Sequence, residues 1–293
     1  MNSLWHYAFV QHALLAGIIT AVLAGCIGPI VTARNMSFAV HGLAELGFTG
    51  AAGAVLLGAS PMIGVLTATF AAAAAIGVLG VRLRERDIAI GSVLAFGTGL
   101  GVLFLSVTQR YATEAFSILF GSILAVTTGD LARSLIIGVV AIAALAVIYR
   151  PLRFASVDPE VAEARGVPVR LLSTVFLLLL ALAVSEAVQV VGVLLILTLL
   201  IVPSAAAQRL TAHPGLAVAY SVGIALVATI GGLACAIYTS LPVSFFVSAM
   251  SFAAYLLARS VSSVRMKTAG RPMAEAQSQD RGSLTGPSSP ESH

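Results

Sequence analysis

The sequence predicts an all-α integral membrane protein with about nine transmembrane helices. Of its 293 residues, 59% are hydrophobic and only 10% are charged, whereas an ordinary soluble domain has about 25% charged residues. Apolar segments recur along most of the chain, and crossing a bilayer takes about 20 such residues in a helix. The segments are rich in glycine and alanine, which let membrane helices pack closely. The chain is therefore expected to form a compact helical bundle in lipid.

The predicted spans follow one another with short connections. In order, they are residues 12–32, 38–58, 61–80, 88–107, 131–149, 171–187, 190–208, 215–238 and 242–258. The apolar run from Leu171 to Ala207 is too long for one span. We therefore place a break at its polar residues 185–189, SEAVQ. Residues 1–264 are predicted to form one polytopic, multi-pass membrane domain.

Basic residues indicate the orientation, because short cytoplasmic loops accumulate Lys and Arg. Arg82, Arg84 and Arg86 share one predicted loop. If that loop is inside, the N-terminus lies outside and the C-terminus lies in the cytoplasm. Residues 265–293 are rich in Ser, Pro, Gly and Gln and are predicted to be a disordered cytoplasmic tail. The net charge of +4 is assigned to these cytoplasmic regions, so no nucleic-acid partner is implied.

Two ionisable residues, His41 and Glu45, lie in the second predicted span. Four residues along a helix place them on one face, one turn apart. An ionisable pair within a membrane is costly, so it should face a cavity or a partner. Imidazole and carboxylate groups bind transition metals. The pair is therefore either a transient metal site or a hydrogen-bonded pair that fastens the second span to its neighbours.

Other polar residues lie near the ends of predicted spans. Glu186, in the predicted turn between the sixth and seventh spans, is a weaker candidate for a metal pathway, and a hydrated turn is the alternative. Asp130, at the start of the fifth span, is expected to be a helix N-cap rather than a ligand.

Residues 156–172, SVDPEVAEARGVPVRLL, predict a short helix outside the membrane; we call them the coupling segment. Asp158 suits the N-cap, Pro159 the first turn, and Glu160 the positive end of the helix dipole. Gly166, followed closely by a proline, ends the helix. About two turns of helix cannot cross a bilayer. The segment either transmits force to a docked protein or folds back on the membrane surface.

This segment resembles the coupling helix of the permease subunits of metal-ion ABC importers, which include zinc and manganese uptake permeases. Four other stretches occur in the same order as in that family: AGCIGPIVTARNMSFAVHG, RDIAIGSVLAFGTGLGVLFLS, ILFGSILAVTTGDL and VGVLLILTLLIVPSAAAQRL. The resemblance implies a type II ABC importer permease-like bundle in a bacterial plasma membrane. Its implied partners are a second copy in a homodimer, cytoplasmic ABC ATPase subunits, an extracytoplasmic solute-binding protein and membrane lipid. The ATPase-coupling residues that it implies are Asp158, Pro159, Glu160, Ala162, Glu163 and Gly166.

The sequence departs from the family pattern at the polar pair. The family places an aspartate and, four residues later, a histidine in the second span, where this chain has His41 and Glu45. The four-residue spacing is the same, but here the histidine comes first and the carboxylate second. The last span begins with LPVSF instead of the family's Pro-Thr-Gly. The implied cargo is a divalent transition metal, with zinc ranked ahead of manganese or iron, and no permanently bound cofactor is implied.

ATP hydrolysis is assigned to a separate subunit. A P-loop needs GxxxxGK[ST], and the single lysine of this chain, Lys267, lies in VRMKTA without those glycines. The chain is thus expected to be a non-catalytic permease. An ion-coupled secondary metal transporter is the alternative, since Pro29 and Pro203 could interrupt helices as in such carriers. A metalloenzyme is disfavoured by the absence of HExxH.

Overall fold

The structure, a computed structural model, describes residues 7–79, 83–107, 121, 123–239 and 241–283. These form ten α-helices and a short 3-10 turn at Ile123–Ala125, with no β-strand in the described part. The helices are α1 (Ala8–Ala33), α2 (Ser37–Leu56), α3 (Pro61–Leu79), α4 (Leu83–Val107), α5 (Thr128–Val157), α6 (Pro159–Ala164), α7 (Val169–Val191), α8 (Val193–Leu210), α9 (Pro214–Thr239) and α10 (Val243–Ser283).

Most of these helices are suited to a membrane. Within the described residues, seven are long and apolar enough to cross one. Two shorter apolar stretches, Ile90–Phe104 in α4 and Leu195–Leu210 in α8, occupy the places of the remaining predicted spans. The all-helical membrane fold is confirmed. The predicted count of nine is approximate, because the described residues contain seven full-length candidate spans and these two shorter stretches.

The break between the sixth and seventh spans is not where the sequence predicted it. The helix α7 continues through residues 185–189 and ends at Gly192, whose φ of 86° lies in the left-handed region that favours glycine. Ser185 and Gln189 stay helical because α7 itself accepts their hydrogen bonds. Ser185 donates to the Leu182 carbonyl (2.9 Å), and the Gln189 amide donates to the Ser185 carbonyl (3.3 Å).

Two helices start earlier than predicted. The helix α4 begins at Leu83, so Arg84 and Arg86 lie in its first turns rather than in a loop, while Arg82 lies outside the described residues. The N-cap of α5 is Thr127 rather than Asp130. Asp130 instead completes a capping box, in which its amide donates to the Thr127 hydroxyl (3.2 Å) and its carboxylate accepts from the Thr127 amide (3.2 Å).

The last helix, α10, runs beyond the predicted end of the membrane domain. Its membrane-suited part is Val243–Ser263, and the helix continues to Ser283. The disordered tail predicted from residue 265 stays a prediction. A helix nucleated by a membrane span propagates into the following residues at little cost. Residues 284–293 lie outside the described residues, and the domain boundary at 264 stays a prediction.

The centre of the bundle is formed by α1 and α7. The helix α1 packs against α5, α7, α8 and α9, while α2 lies between α3 and α4. The contact between α2 and α3 is made backbone to backbone at two glycines. A Cβ atom added at Gly50 would lie 2.1 Å from the Gly64 carbonyl oxygen, and one added at Gly64 would lie 2.1 Å from the Gly50 carbonyl oxygen. Small residues thus set the distance between these helices.

Candidate functional site

A tight turn between α1 and α2 positions the polar pair. Asn35 has a φ of 52°, in the left-handed region that asparagine tolerates better than most residues. The Met36 amide donates to the Val31 carbonyl (2.9 Å) across the turn. The helix α2 therefore begins at Ser37, close against the end of α1, and His41 follows in its second turn.

His41 and Glu45 are in contact, as their spacing predicts. The distance between His41 Nε2 and Glu45 Oε1 is 3.1 Å. Their side chains are 42% and 34% exposed in the single chain. The pair thus lies at the surface of this chain, where other groups can approach it, rather than in its core. Among the described residues, the polar contact of His41 is to Glu45 on its own helix and not to a neighbouring helix.

The helix α4 supplies a third polar group, which the sequence analysis did not identify. Thr98 donates a hydrogen bond to Glu45 Oε2 at 3.2 Å, so each carboxylate oxygen has its own partner. The glycine beside Thr98 makes this approach possible, because a Cβ atom at Gly97 would lie 1.7 Å from Leu46 Cδ2. The Thr49 hydroxyl also donates to the Gly97 carbonyl (3.1 Å). Glu45 is thereby held in position from α4.

The donor set is one imidazole nitrogen, one carboxylate and one hydroxyl. Such nitrogen and oxygen groups bind divalent first-row metals. Within the described residues, no group of three or more His, Cys, Asp or Glu side chains is placed to hold a metal. A metal ion at His41 and Glu45 would therefore need further ligands beyond the His, Cys, Asp and Glu side chains of the described residues. An incomplete protein shell favours release of the ion over retention.

Glu186 lies apart from this pair. It is 4% exposed, near the end of α7 that is distant from the coupling segment, and accepts a hydrogen bond from the Ser134 hydroxyl of α5. It borders a cavity of about 240 Å³ that is lined by described residues of α3, α5 and α7 and of the stretch before α5, including Arg133 and none of α2 or α4. The structure therefore does not bring Glu186 together with His41 and Glu45. Its role in a metal pathway stays a prediction.

The coupling segment contains the short helix α6. Asp158 is its N-cap and accepts a hydrogen bond from the Val161 amide at 3.0 Å, with Pro159 and Glu160 in the first turn. Gly166 has a φ of 83° and follows the last turn. The helix is anchored by Ala162, which is fully buried. The outer face of α6, which includes Glu163, is exposed. A rigid, capped helix with one exposed face is suited to contact a second protein.

Comparison with known proteins assigns the family. The model of the ABC 3 transport family matches residues 6–262, which is nearly the whole membrane region. The chain belongs to the ABC 3 transport family. Its all-helical bundle, its capped helix outside the predicted spans and its polar pair in the second span are accordingly features of a family member.

Relatives within the ABC 3 family carry the names of metal transport proteins. The manganese transport system membrane protein MntC of Listeria innocua is 34% identical over 212 residues, covering 72% of this chain and 75% of that protein. The manganese import system permease protein ScaB of Streptococcus gordonii is 32% identical over 208 residues, covering 71% and 74%. Both names specify manganese, and the preference for zinc expected from the sequence finds no specific support.

The fold also matches a solved structure. PsaBC from Streptococcus pneumoniae in complex with Fab superposes with a TM-score of 0.78 at 26% identity, covering 88% of this chain and 93% of that chain. The resemblance to the permease subunits of metal-ion ABC importers is thus confirmed, and with it the permease-like helical bundle.

Proposed function

We propose that this protein is the membrane-spanning subunit of an ATP-driven importer of divalent first-row metal ions, with manganese as the principal cargo. Membership of the ABC 3 family and the names of its relatives support the class. The observation that carries the metal pathway is the contact between His41 and Glu45 on an accessible face of α2. The metal is cargo, so the protein needs no resident cofactor.

Manganese is placed ahead of zinc, which reverses the order expected from the sequence. Carboxylate and water ligands suit manganese, whereas tetrahedral sites of several thiolates or imidazoles suit zinc. The site on this chain has one carboxylate, with one imidazole and one hydroxyl each within hydrogen-bonding distance of it. Water or a second copy of the chain completes an oxygen-rich shell. Iron, which accepts similar ligands, is the next ion to compare.

The coupling segment is proposed to dock the ATPase. The chain has no P-loop of its own, so the ATP-hydrolysing subunit is a separate protein. The exposed face of α6 is suited to that contact, since its N-cap and buried Ala162 hold it rigidly. The residues assigned to the coupling function are Asp158, Pro159, Glu160, Glu163 and Gly166 at the exposed surface, with the buried Ala162 as the anchor of the helix.

The complex proposed around this subunit follows from that assignment. Two permease copies form a homodimer in the plasma membrane, with the N-termini outside and the C-termini in the cytoplasm. The ATPases bind from the cytoplasm, and a solute-binding protein delivers the metal from the other side. The half-exposed metal pair supports a dimer, because ionisable groups in a membrane face a partner or a water-filled space.

The test is transport by the purified complex in proteoliposomes. The permease is reconstituted with its ATPase and its solute-binding protein, and uptake of manganese, zinc and iron is measured with and without ATP. We expect ATP-dependent uptake that is largest for manganese. Uptake by the permease alone, driven by an ion gradient, would establish the secondary-transporter alternative. An absence of ATP-dependent uptake for all three metals would refute the proposal.

A further inference from the structure

One arginine joins both ends of the coupling segment. Arg34, at the end of α1, donates from Nη1 to the Ser156 hydroxyl (3.1 Å) and from Nη2 to the Ser173 hydroxyl (2.6 Å). Ser156 is the first residue of the coupling segment, in the last turn of α5, and Ser173 directly follows the segment, in α7. Because the guanidinium is planar and rigid, it fixes the distance between these two hydroxyl groups.

The same guanidinium also packs on the core. Its Cζ atom lies 6.0 Å from the centre of the Phe176 ring, which is fully buried in α7. An arginine over an aromatic face is held by a cation–π interaction in addition to its hydrogen bonds. Arg34 is therefore fixed to α7 at two points and to α5 at one. We call these contacts the Arg34 bridge.

The backbone of Arg34 belongs to the turn that starts α2. Its amide donates to the Ile30 carbonyl (3.0 Å), and two residues later Met36 closes the turn on α1. The helix α2 begins at Ser37 and carries His41 seven residues after Arg34. The Arg34 bridge thus links the coupling segment to the base of the helix that holds the metal pair.

Beside the bridge is a space that allows movement. A cavity of about 450 Å³ is bordered by all three residues of the bridge's hydrogen bonds, by Pro159 and Glu163 in α6, and by Gly77 in α3. This cavity is an open cleft, since Pro159 and Glu163 at its border are exposed. The coupling segment can therefore shift relative to α3 while the Arg34 bridge keeps it attached to the start of α2.

We infer that Arg34 is a positioning residue that transmits movement of the ATPase-docked coupling segment to α2, and so to His41 and Glu45. This inference rests on the proposed function. Without the bridge, the end of α5, all of α6 and the start of α7 can move while α2 stays behind. ATP hydrolysis then continues without the displacement that releases the metal.

The first test measures metal ions transported per ATP hydrolysed in the reconstituted complex. For Arg34→Gln we expect normal recovery of the ATPase, continued hydrolysis, and a transport ratio lowered at least about tenfold, because two hydrogen bonds from a charged group are lost or weakened. Arg209→Gln is the matched control. It removes a cation and a cation–π contact, with the Tyr255 ring at 5.2 Å, but no contact to the coupling segment, and should leave the ratio unchanged.

A second variant removes the acceptors and keeps the arginine. Ser156→Ala combined with Ser173→Ala should lower the ratio as much as Arg34→Gln does. All three substitutions together should cause no further loss, because contacting residues act non-additively. An unchanged ratio in Arg34→Gln, fully additive losses, or loss of the bound ATPase in both variants would overturn the inference.

A distance measurement separates this inference from the proposed function. Spin labels are placed at Phe38 in α2 and Ala164 in α6, both exposed, after Cys26 and Cys235 have been replaced. When ATP binds, the distance between the labels should stay constant in the otherwise wild-type complex and change in Arg34→Gln. A change of equal size in both would sink the inference. If the labels give the expected distances but the wild-type complex transports no metal, only the proposed cargo is refuted and the inference stands.

Discussion

At the scale of single residues, His41 and Glu45 are expected to determine transport rather than stability. Both side chains are half-exposed, and such positions usually change stability by no more than about 0.5 kcal/mol. His41→Ala and Glu45→Gln should each abolish most manganese uptake while leaving membrane abundance and ATPase recovery normal. Uptake, immunoblotting of membranes and co-purification measure these three quantities.

The control for this experiment is His213→Ala, which removes an exposed histidine between α8 and α9. Uptake should be unaffected. If abundance falls together with uptake in the two site variants, the pair is a packing contact. Normal uptake in both variants would remove the residues from the pathway.

Thr98 provides a graded test of the same site. Thr98→Val keeps the shape of the side chain and removes the donor to Glu45 Oε2. We expect the manganese concentration for half-maximal uptake to rise about 3- to 10-fold, the effect of an ordinary hydrogen bond with a net value of about 1 kcal/mol. Thr98→Ser, which keeps the hydroxyl, should behave as wild type. Equal uptake curves for Thr98→Val and wild type would show that the bond has no part in metal binding.

The sequence predicted only the local part of this site. His41 and Glu45 are neighbours because of helical periodicity, which is visible in the sequence. Thr98 is separated from Glu45 by 53 residues, and a threonine in a membrane helix commonly bonds to its own helix. Its only signal was the run of small residues around it, FGTGLG. The partners of Arg34 were hidden for the same reason, since they depend on how three helices pack.

At the scale of elements, the coupling segment should control ATPase binding. Gly166 has a φ of 83°, which proline cannot adopt, so Gly166→Pro should deform the end of α6. Glu163→Lys reverses a charge on the exposed face of α6 and should leave folding intact. Both variants should lower ATPase co-purification and metal-stimulated ATP hydrolysis by about tenfold, the effect of about 1.4 kcal/mol at an interface.

A matched control exists in the loop after α2. Gly58 also has a positive φ, 70°, and has open space around its α-carbon. Gly58→Pro imposes the same backbone conflict far from α6 in the chain and should leave ATPase recovery normal. If Gly166→Pro and Glu163→Lys both retain the ATPase and its stimulation, the coupling segment is a linker.

Element boundaries were harder to predict than the elements themselves. The polar run at residues 185–189 has the composition of a turn, yet Ser185, Glu186 and Gln189 all find partners inside the bundle. Those partners satisfy the polar groups, so the helix need not stop there. The helix actually ends at Gly192. A single glycine is a weaker turn signal in the sequence than a run of polar residues, but Gly192 has the left-handed backbone that the break requires.

At the scale of the whole molecule, the orientation in the membrane is a separate prediction. It follows from the distribution of Lys and Arg and not from the family. A cysteine at the exposed position Ala164, in a chain without Cys26 and Cys235, should react with an impermeant maleimide only after the cells are permeabilised. Labelling in intact cells would reverse the orientation and exclude docking of a cytoplasmic ATPase on α6.

The arrangement of spans was predictable because a bilayer imposes a minimum apolar length on each helix. How the helices pack was not, since nearly all of their surfaces are apolar and small residues occur in most spans. Hydrophobic patterning therefore gives no register between α2 and α3. The structure sets that register at Gly50 and Gly64.

The contact between Gly50 and Gly64 also limits which substitutions this sequence can accumulate during evolution. In most helix contacts a larger residue on one side can be accommodated by a smaller one opposite. Here a Cβ atom added at either position would lie against the carbonyl oxygen of the other glycine, and every amino acid has that oxygen. No substitution at one position can relieve a side chain at the other. The two codons are therefore each restricted to glycine for as long as α2 and α3 keep this register, and no stepwise compensatory route leads away from it.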